Sequence, residues 1–287
     1  MIKNRFFSFV LIFIVYILAV SGGIISYNIL EKNTILSYQI ILLISDVFAT
    51  VIVFLFSLIL KNASVYDPYW SVQPPVILCT ALIKCGNSVF GLIIFAAVLL
   101  WGIRLTANWA YTFKNLEHQD WRYSMLKEKT GKAYPLINFL GIHLFPTFVV
   151  YLCTLPAVTA IHNGADFKLL SVPFLLICFA APVFQGIADV QMHNFRKTKS
   201  LQNKTPTENF IRTGLWKKSR HPNYACEILM WWGVALSCFF AMPWNWTLLT
   251  GAFINTLMFL FVSIPMAEKR QAQKPGFDEY KKETRML

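Results

Sequence analysis

Seven apolar runs, each about as long as a bilayer is thick, constrain this chain more than any other feature of its sequence. Phe6–Leu30, Tyr38–Leu60, Val89–Tyr111, Leu136–Ile161 and Leu169–Ala188 each approach or exceed the roughly 20 helical residues that cross a hydrocarbon core. Ala225–Met242 and Trp246–Pro265 are separated only by Pro243-Trp244-Asn245 and read as a helical hairpin. No segment alternates with a strand period over about ten residues, which argues against a membrane barrel. Charged residues make up 14% of the chain and hydrophobic ones 56%, whereas a soluble domain carries about a quarter charged residues. The expected fold is an all-α, polytopic integral membrane helical bundle.

Positive charge sets the expected topology. Of 26 lysines and arginines, five lie in residues 112–135, eight in 191–221 and six in the tail after residue 265, and Lys3 and Arg5 open the chain. Basic loops stay cytoplasmic, so all these segments, and both termini, are expected on one side. Seven spans would put the ends on opposite sides. An eighth, Trp70–Lys84, short and broken by Pro74-Pro75, restores parity; seven spans with an outside N-terminus is the alternative. The apolar stretch after Arg5 outruns the h-region of a signal peptide and reads as an uncleaved first helix. The expected location is a bacterial inner membrane or the endoplasmic reticulum. The basic clusters follow topology and carry no recognition fold, so they speak for orientation and contact with membrane lipids, and no nucleic-acid partner is expected.

The six cysteines show no CxxC spacing and five lie in or beside apolar spans, as small core residues do. No two histidines fall at i, i+4, so no metal site is expected, and Walker, Rossmann and GxSxG patterns are missing. Residues 1–62 read as two accessory membrane helices in which Asp46 is the lone interior charge, either paired with a neighbouring helix or hydrated near an interface. Polar complexity fills the second expected domain, 63–287. Within it, Thr198–Thr213, with Pro206, reads as a mobile cytoplasmic loop.

Four clusters in that domain carry candidate chemistry. Gln185, Asp189, His193 and Arg196, at spacings of 4, 4 and 3, share one helix face if the fifth run continues into the basic loop. Such an Asp and Arg suit a ribose and a phosphate, although an exposed Asp–Arg pair closing a helix end is by itself the better account. Arg220-His221-Pro222-Asn223-Tyr224-Ala225-Cys226-Glu227 opens an apolar helix with Asn223 and Glu227 one turn apart. Pro222 suits a first turn, and a helix N-terminus beside an arginine attracts phosphate. Glu227 inside an apolar run is expected to be hydrogen-bonded to a cofactor or to a cation, Arg104 foremost. Arg104 stands about two turns inside its own span, where snorkelling to the interface is the plainer account. Glu117-His118-Gln119-Asp120-Trp121-Arg122-Tyr123 mixes both charge signs with two aromatics.

Taken in order, these motifs resemble the steroid 5α-reductase superfamily, in particular its bacterial-type membrane branch, over roughly Tyr66 to Leu287. The resemblance rests on Asp67-Pro68-Tyr69-Trp70-Ser71, Trp101-Gly102-Ile103-Arg104-Leu105-Thr106, the 117–123 segment, Gly214-Leu215-Trp216 with Ser219-Arg220-His221-Pro222-Asn223-Tyr224 and Glu227, and Glu268-Lys269-Arg270 with Tyr280-Lys281. The Arg-His-Pro-Asn-Tyr core is shared with membrane methyltransferases of isoprenylcysteine and phospholipids. The resemblance implies NADPH held by the C-terminal half and hydride transfer to an alkene conjugated with a ketone. It implies cofactor contacts at Asp189, Arg196, Asn223, Glu227 and Arg104, with Gln185, Arg220, His221 and Tyr224 beside them.

The sequence departs from that family where the substrate carbonyl is polarised. Its Trp-x-x-Gln-Glu reads Trp70-Ser-Val-Gln73-Pro74 here, and Trp101 stands where the partner tyrosine is expected. Enolate formation still needs an acid aimed at the oxygen, and Asp67, Tyr66, Tyr69 and Gln73 are the nearest candidates. The leading expectation is therefore a membrane NADPH-dependent reductase of a hydrophobic steroid-like or isoprenoid lipid. An S-adenosylmethionine-dependent lipid methyltransferase is the runner-up, and a non-catalytic lipid-binding protein comes third.

Overall fold

A computed structural model describes residues 3–201 and 209–287. It is an all-α membrane bundle, 82% helical with no strand among the described residues. Among the described residues, seven helical stretches are long and apolar enough to cross a membrane: Arg5–Asn33, Tyr38–Ile59, Val89–Thr112, Trp121–His162, Leu169–Lys199, Pro222–Ala241 and Trp246–Gln271. The protein is an integral, multi-pass membrane protein. The chain divides into two units, Met1–Ala165 and Asp166–Leu287.

The first unit contains α1 (Arg5–Asn33), α2 (Tyr38–Ile59), α3 (Tyr69–Cys85), α4 (Val89–Thr112), α5 (Trp121–Thr130), α6 (Tyr134–Ile137) and α7 (Phe145–His162). Asn4 caps α1 by accepting from the backbone N–H groups of Phe6 and Phe7, which meets two of the donors that a helix start leaves unpaired. The Arg5 guanidinium then donates to Ala110 O at 2.7 Å, and Asn115 Nδ2 donates to Lys3 O at 2.8 Å. The start of α1 therefore lies beside the end of α4. At the opposite end Lys84, in the last turn of α3, meets Glu31 of α1 at 2.9 Å. These contacts fix the directions: α1 and α3 run one way and α4 the other, and α2, which returns along α1 with Gly22 against Ile52 and Gly23 against Ala49 and Ser45, runs with α4. The 17 residues of α3 rise only about 26 Å, a little less than a hydrocarbon core, and α3 is not among the seven stretches named above.

Two prolines inside α3 shape its contact with α4. In an α-helix the carbonyl of Ser71 would accept from the N–H of residue 75, but Pro75 has none. Gly102 of α4 lies against that carbonyl: a Cβ added there would sit 2.6 Å from Ser71 O and 3.0 Å from Pro75 Cγ. Glycine is what lets the two backbones approach. The helix from α6 to α7 widens into a π turn at Asn138–Leu144, where the N–H of Phe145 reaches back to Leu140 O, and Pro146 follows two residues later. A second π turn, Phe259–Ser263, stands in the same relation to Pro265.

The second unit contains α8 (Val172–Leu201), α9 (Pro222–Ala241), α10 (Thr250–Met258), α11 (Ile264–Gln271) and the short α12 (Phe277–Glu283). Gly233 of α9 packs against α8, where a methyl on its Cα would lie only 3.0 Å from Phe174 O and from Cys178 Sγ. The segment expected as a loop from Thr198 begins as helix, because α8 runs on to Leu201. Its residues Lys204 and Pro206 lie outside the described residues.

Gly102→Ala is expected to destabilise the protein by about 1–3 kcal/mol, the range for forcing extra volume into a packed interior, because the new methyl meets backbone rather than a movable side chain. Thermal unfolding of the purified variant beside wild type measures this; an unchanged melting temperature would show that α3 and α4 separate without penalty.

Candidate functional site

In the second unit α8 continues unbroken through Gln185, Asp189, His193 and Arg196, so the four share the expected face. Their exposure forms a gradient. Gln185 and Asp189 are buried, His193 is half-buried, and Arg196 is exposed. Gln185 Nε2 donates across to α9, to Glu227 Oε2 at 2.7 Å and to the Asn223 carbonyl at 3.1 Å. The other carboxylate oxygen, Glu227 Oε1, accepts from the indole N–H of Trp231 at 2.9 Å. Within this unit Glu227 is thus held by an amide and an indole. Gln185 Oε1 is buried with no hydrogen-bond partner among the described residues.

Gly214-Leu215-Trp216 docks on the same helix. Gly214 adopts φ +58, Leu215 N donates to Gln191 Oε1 at 2.9 Å, and Trp216 Nε1 donates to Ala188 O at 2.9 Å. A side chain at residue 214 would strike the Gln191 amide, so both the backbone angle and the space call for glycine. This turn delivers the chain to the start of α9 beside the buried end of the α8 face.

Arg220 is committed to the C-terminal tail. Its side chain is 6% exposed and meets Glu268 Oε1 through Nη2 at 2.7 Å and through Nε at 2.8 Å. Nη1 donates to Lys281 O at 3.2 Å and to Thr284 O, and the backbone N–H of Arg220 donates to Arg285 O at 2.8 Å. His221 Nε2 stands 3.4 Å from the same Glu268 oxygen, and burial pushes the imidazole below its ordinary pKa while Glu268 opposes the shift. The His221 ring stacks on Tyr224 at 5.3 Å, and Tyr224 in turn touches Phe259. Glu268 is the residue that explains this cluster, and it was legible only as part of the Glu268-Lys269-Arg270 motif, 48 residues from its partner.

In the first unit three motifs far apart in sequence come together. Ser71 Oγ and Thr106 Oγ1 are 2.8 Å apart, and the Trp70 and Trp101 rings meet edge to face at 6.0 Å. Asp120 N donates to Ser64 Oγ at 2.8 Å, Ala63 N to Gln119 Oε1 at 3.1 Å, and the Tyr123 hydroxyl to Asp67 Oδ1. Burial pushes the Asp67 carboxyl up to about 6, against the Arg122 guanidinium and the Tyr123 hydroxyl, which pull it down. Arg104 is half-buried on α4, two turns before its end.

Tyr69 and Gln73 take a different direction from Asp67. The Tyr69 hydroxyl donates to Asp46 Oδ1 at 3.3 Å, and Gln73 Nε2 donates to Asp46 Oδ2. Of the two readings of Asp46, pairing with a neighbouring helix is the one observed. Thr147 and His143 join this interior without a signal in the sequence: Thr147 Oγ1 meets Tyr66 OH at 2.8 Å and Thr50 Oγ1 at 3.1 Å, and the His143 ring lies 4.8 Å from that of Tyr66.

Residues 53–284 match a family model described as "Protein of unknown function (DUF1295)". The chain belongs to the DUF1295 family. It is also similar to "Uncharacterized protein C594.04c" of Schizosaccharomyces pombe (strain 972 / ATCC 24843), 27% identical over 197 residues that cover 60% of this chain. The match covers 56% of that protein, so the aligned part is little more than half its length. No solved structure matches the chain. The DUF1295 segment takes in every motif described above but begins after Asp46, so α1 and the first part of α2 stand outside it.

Arg220→Ala in this DUF1295 protein would leave the Glu268 carboxylate without its cation and the carbonyls of Lys281 and Thr284 without a donor. A loss of about 3 kcal/mol of stability is expected, as when one partner of a buried pair is removed, together with early proteolysis after residue 271. Limited proteolysis with mass determination of the fragments reads both; a tail as resistant as in wild type would mean that α12 docks by its apolar contacts alone.

Proposed function

We propose that this protein is a membrane-embedded, NADPH-dependent reductase of a carbon–carbon double bond conjugated to a carbonyl in a steroid-like or isoprenoid lipid. The observation that carries the reading is the face of α8. It offers a buried amide oxygen at Gln185 in want of a donor, a buried carboxylate at Asp189, and an exposed guanidinium at Arg196, in that order along one helix. This donor set fits a phosphorylated dinucleotide: a carboxylate accepts from ribose hydroxyls, and a guanidinium forms paired, charge-assisted hydrogen bonds to phosphate. The resemblance to the steroid 5α-reductase superfamily supports the same residues, together with Asn223, Glu227 and Arg104. NADPH, when bound, supplies the hydride that the β-carbon of the enone accepts.

The chain's own contribution is orientation and proton supply. Gln185 ties α8 to Glu227 and to the first turn of α9, so the start of α9 is held in register with Asp189. Of the four residues considered for the carbonyl, Tyr66 is engaged with Thr147, and Tyr69 and Gln73 direct their hydrogens at Asp46, whereas Asp67 has a carboxyl able to hold a proton close to neutral pH. In this reading Asp67 hydrogen-bonds the carbonyl oxygen and passes its proton to that oxygen as hydride reaches the β-carbon, giving an enol that becomes the saturated ketone when the α-carbon takes a proton from water and the oxygen releases its own, while Tyr123 steadies the other carboxyl oxygen. An S-adenosylmethionine-dependent methyltransferase is the second reading, favoured by the Arg220–Tyr224 core.

The cofactor is tested by thermal stabilisation of purified protein with NADPH, NADH and S-adenosylmethionine, since a ligand bound by the native state raises the melting temperature with the logarithm of its concentration. NADPH is expected to stabilise most. Arg196→Ala is expected to weaken NADPH about tenfold, roughly 1.4 kcal/mol, and NADH much less. Stabilisation by S-adenosylmethionine alone would replace this reading with the methyltransferase, and equal weakening of both nicotinamide cofactors would move Arg196 away from the extra phosphate.

Proton supply from Asp67 has its own signature. The protonated form is the active one, so kcat/KM with a steroid enone such as progesterone should fall as pH rises through about 6. Asp67→Asn keeps a hydrogen-bond donor but cannot yield a proton, and should lower the rate and remove that limb of the profile. The same limb in the variant would assign the titration to another group.

A further inference from the structure

Three helix ends meet at the side of the first unit away from Arg5 and the end of α4. Cys85 is the last residue of α3, His162 the last of α7 and Tyr38 the first of α2. Cys85 Sγ stands 3.4 Å from His162 Nδ1, 77 residues away in sequence, a hydrogen-bonding distance for sulfur. The imidazole is held in place by Tyr38, whose ring stacks on it at 4.8 Å with 10° between the planes. Tyr27 meets Tyr38 edge to face at 6.1 Å, and the Lys84–Glu31 ion pair lies behind it. Neither Cys85 nor His162 belongs to the sites described above.

The pair is open to its surroundings. His162 is exposed and Cys85 half-buried, and the glycines that follow them, Gly86 and Gly164, have open space where a side chain would stand. Cys153, Cys178 and Cys238 are buried. Cys79 is exposed, but it lies six residues before Cys85, about 9 Å further into α3, where lipid disfavours a thiolate. A thiol reacts as its thiolate, and at neutral pH most of it is protonated. The carbonyl end of α3 disfavours an anion at Cys85, whereas that of α7 favours a cation at His162. Transfer of the thiol proton to Nδ1 therefore gives a thiolate beside an imidazolium, the arrangement that activates a nucleophilic cysteine. This end of the unit lies opposite Lys3, Arg5 and the basic 112–135 segment, so by the positive-inside rule it faces away from the cytoplasm. Disulfides persist on that side of a membrane, in the endoplasmic reticulum lumen and the bacterial periplasm alike.

We propose that Cys85, with His162 as its base, is a site of mixed-disulfide formation whose substrate is the disulfide of a small thiol of the glutathione class. The Cys85 thiolate attacks one sulfur of that disulfide. A new S–S bond forms to Cys85 as the old one breaks, and the released thiolate takes the proton held by His162. The Cys85 sulfur is oxidised, the released sulfur is reduced, and no other oxidant is needed. The site uses no nicotinamide cofactor and does not rest on the reductase reading.

The test uses the full chain in nanodiscs, reduced, freed of reductant and then exposed to glutathione disulfide, with the adduct located by peptide mass spectrometry. At neutral pH Cys85 should take the adduct about tenfold faster than Cys79 or Cys226, and Cys85→Ser should remove it without changing the melting temperature. His162→Phe keeps a ring against Tyr38 but has no base, and should slow the reaction at Cys85 about tenfold at neutral pH. At about pH 9.5, where a thiol ionises unaided, this variant should approach wild type. Tyr27, Tyr38, Tyr151 and the Lys84–Glu31 pair are the other ionisable groups around the site, and both proteins share them. An adduct that forms as fast at Cys79 or Cys226, or a His162→Phe variant as fast as wild type at neutral pH, would overturn the proposal. Slowing by the same factor at both pH values would overturn it too, because His162 would then support the fold and not take the proton.

Discussion

Within apolar helices a polar side chain has no solvent to fall back on, and this single restriction accounts for most of the specific contacts in the structure. A lone carboxylate or amide in such a setting is disfavoured by several kcal/mol. Glu227 is met by Gln185 and Trp231, and Asp46 by Gln73 and Tyr69. Gln185 with Glu227, and Asp46 with its two partners, join different helices, whereas Glu227 and Trp231 both lie on α9. Helix packing in lipid lacks the hydrophobic drive that acts in water, so these cross-helix hydrogen bonds, with glycine contacts such as Gly102 on α3 and Gly233 on α8, specify which helix faces meet.

The same restriction explains how proline is tolerated. A proline inside a membrane helix strands a carbonyl one turn back, and lipid cannot satisfy it. At Ser71 the stranded carbonyl lies against the backbone of α4, brought close by Gly102. Ahead of Pro146 and Pro265 the chain answers with a π turn, whose wider ring shifts the hydrogen-bond ladder by one residue. The Asp67–Ser71 and Trp101–Thr106 motifs meet at the first of these places, where Ser71 and Thr106 also share a hydrogen bond. The local backbone problem and the motif contact are one piece of structure.

Hydrophobic run length carried the fold well, because spanning helices depend on little beyond apolar length. The limits of Tyr38–Ile59, Val89–Thr112 and the α9 helix fall within a few residues of the apolar runs. The continuation of α8 followed from a spacing of 4, 4 and 3, a local signal. Side-chain partners were another matter. Asp46 with Gln73, Arg220 with Glu268 and Tyr66 with Thr147 are separated by 27, 48 and 81 residues, and no periodicity in one segment reports a partner in another. The departure at Pro74 was visible, but its consequence was not: with no glutamate at that position, Tyr69 and Gln73 turn to a carboxylate on α2.

Arg196 and Arg220 illustrate why residue type near a motif underdetermines its role. Both are arginines at basic ends of apolar helices in the same unit, and in the sequence each suits a phosphate equally well. A guanidinium offers five donors in a fixed plane. In Arg220 the Nε, Nη1 and Nη2 groups are all engaged, by Glu268 and by tail carbonyls, and the group is almost fully withdrawn from solvent. A phosphate would have to displace a carboxylate and re-expose those carbonyls. Arg196 stands exposed on the far turns of α8, so binding an anion there breaks no interior contact and follows the line already set by Gln185 and Asp189. Burial, more than charge, separates the arginine that closes the structure from the one that remains available to a ligand.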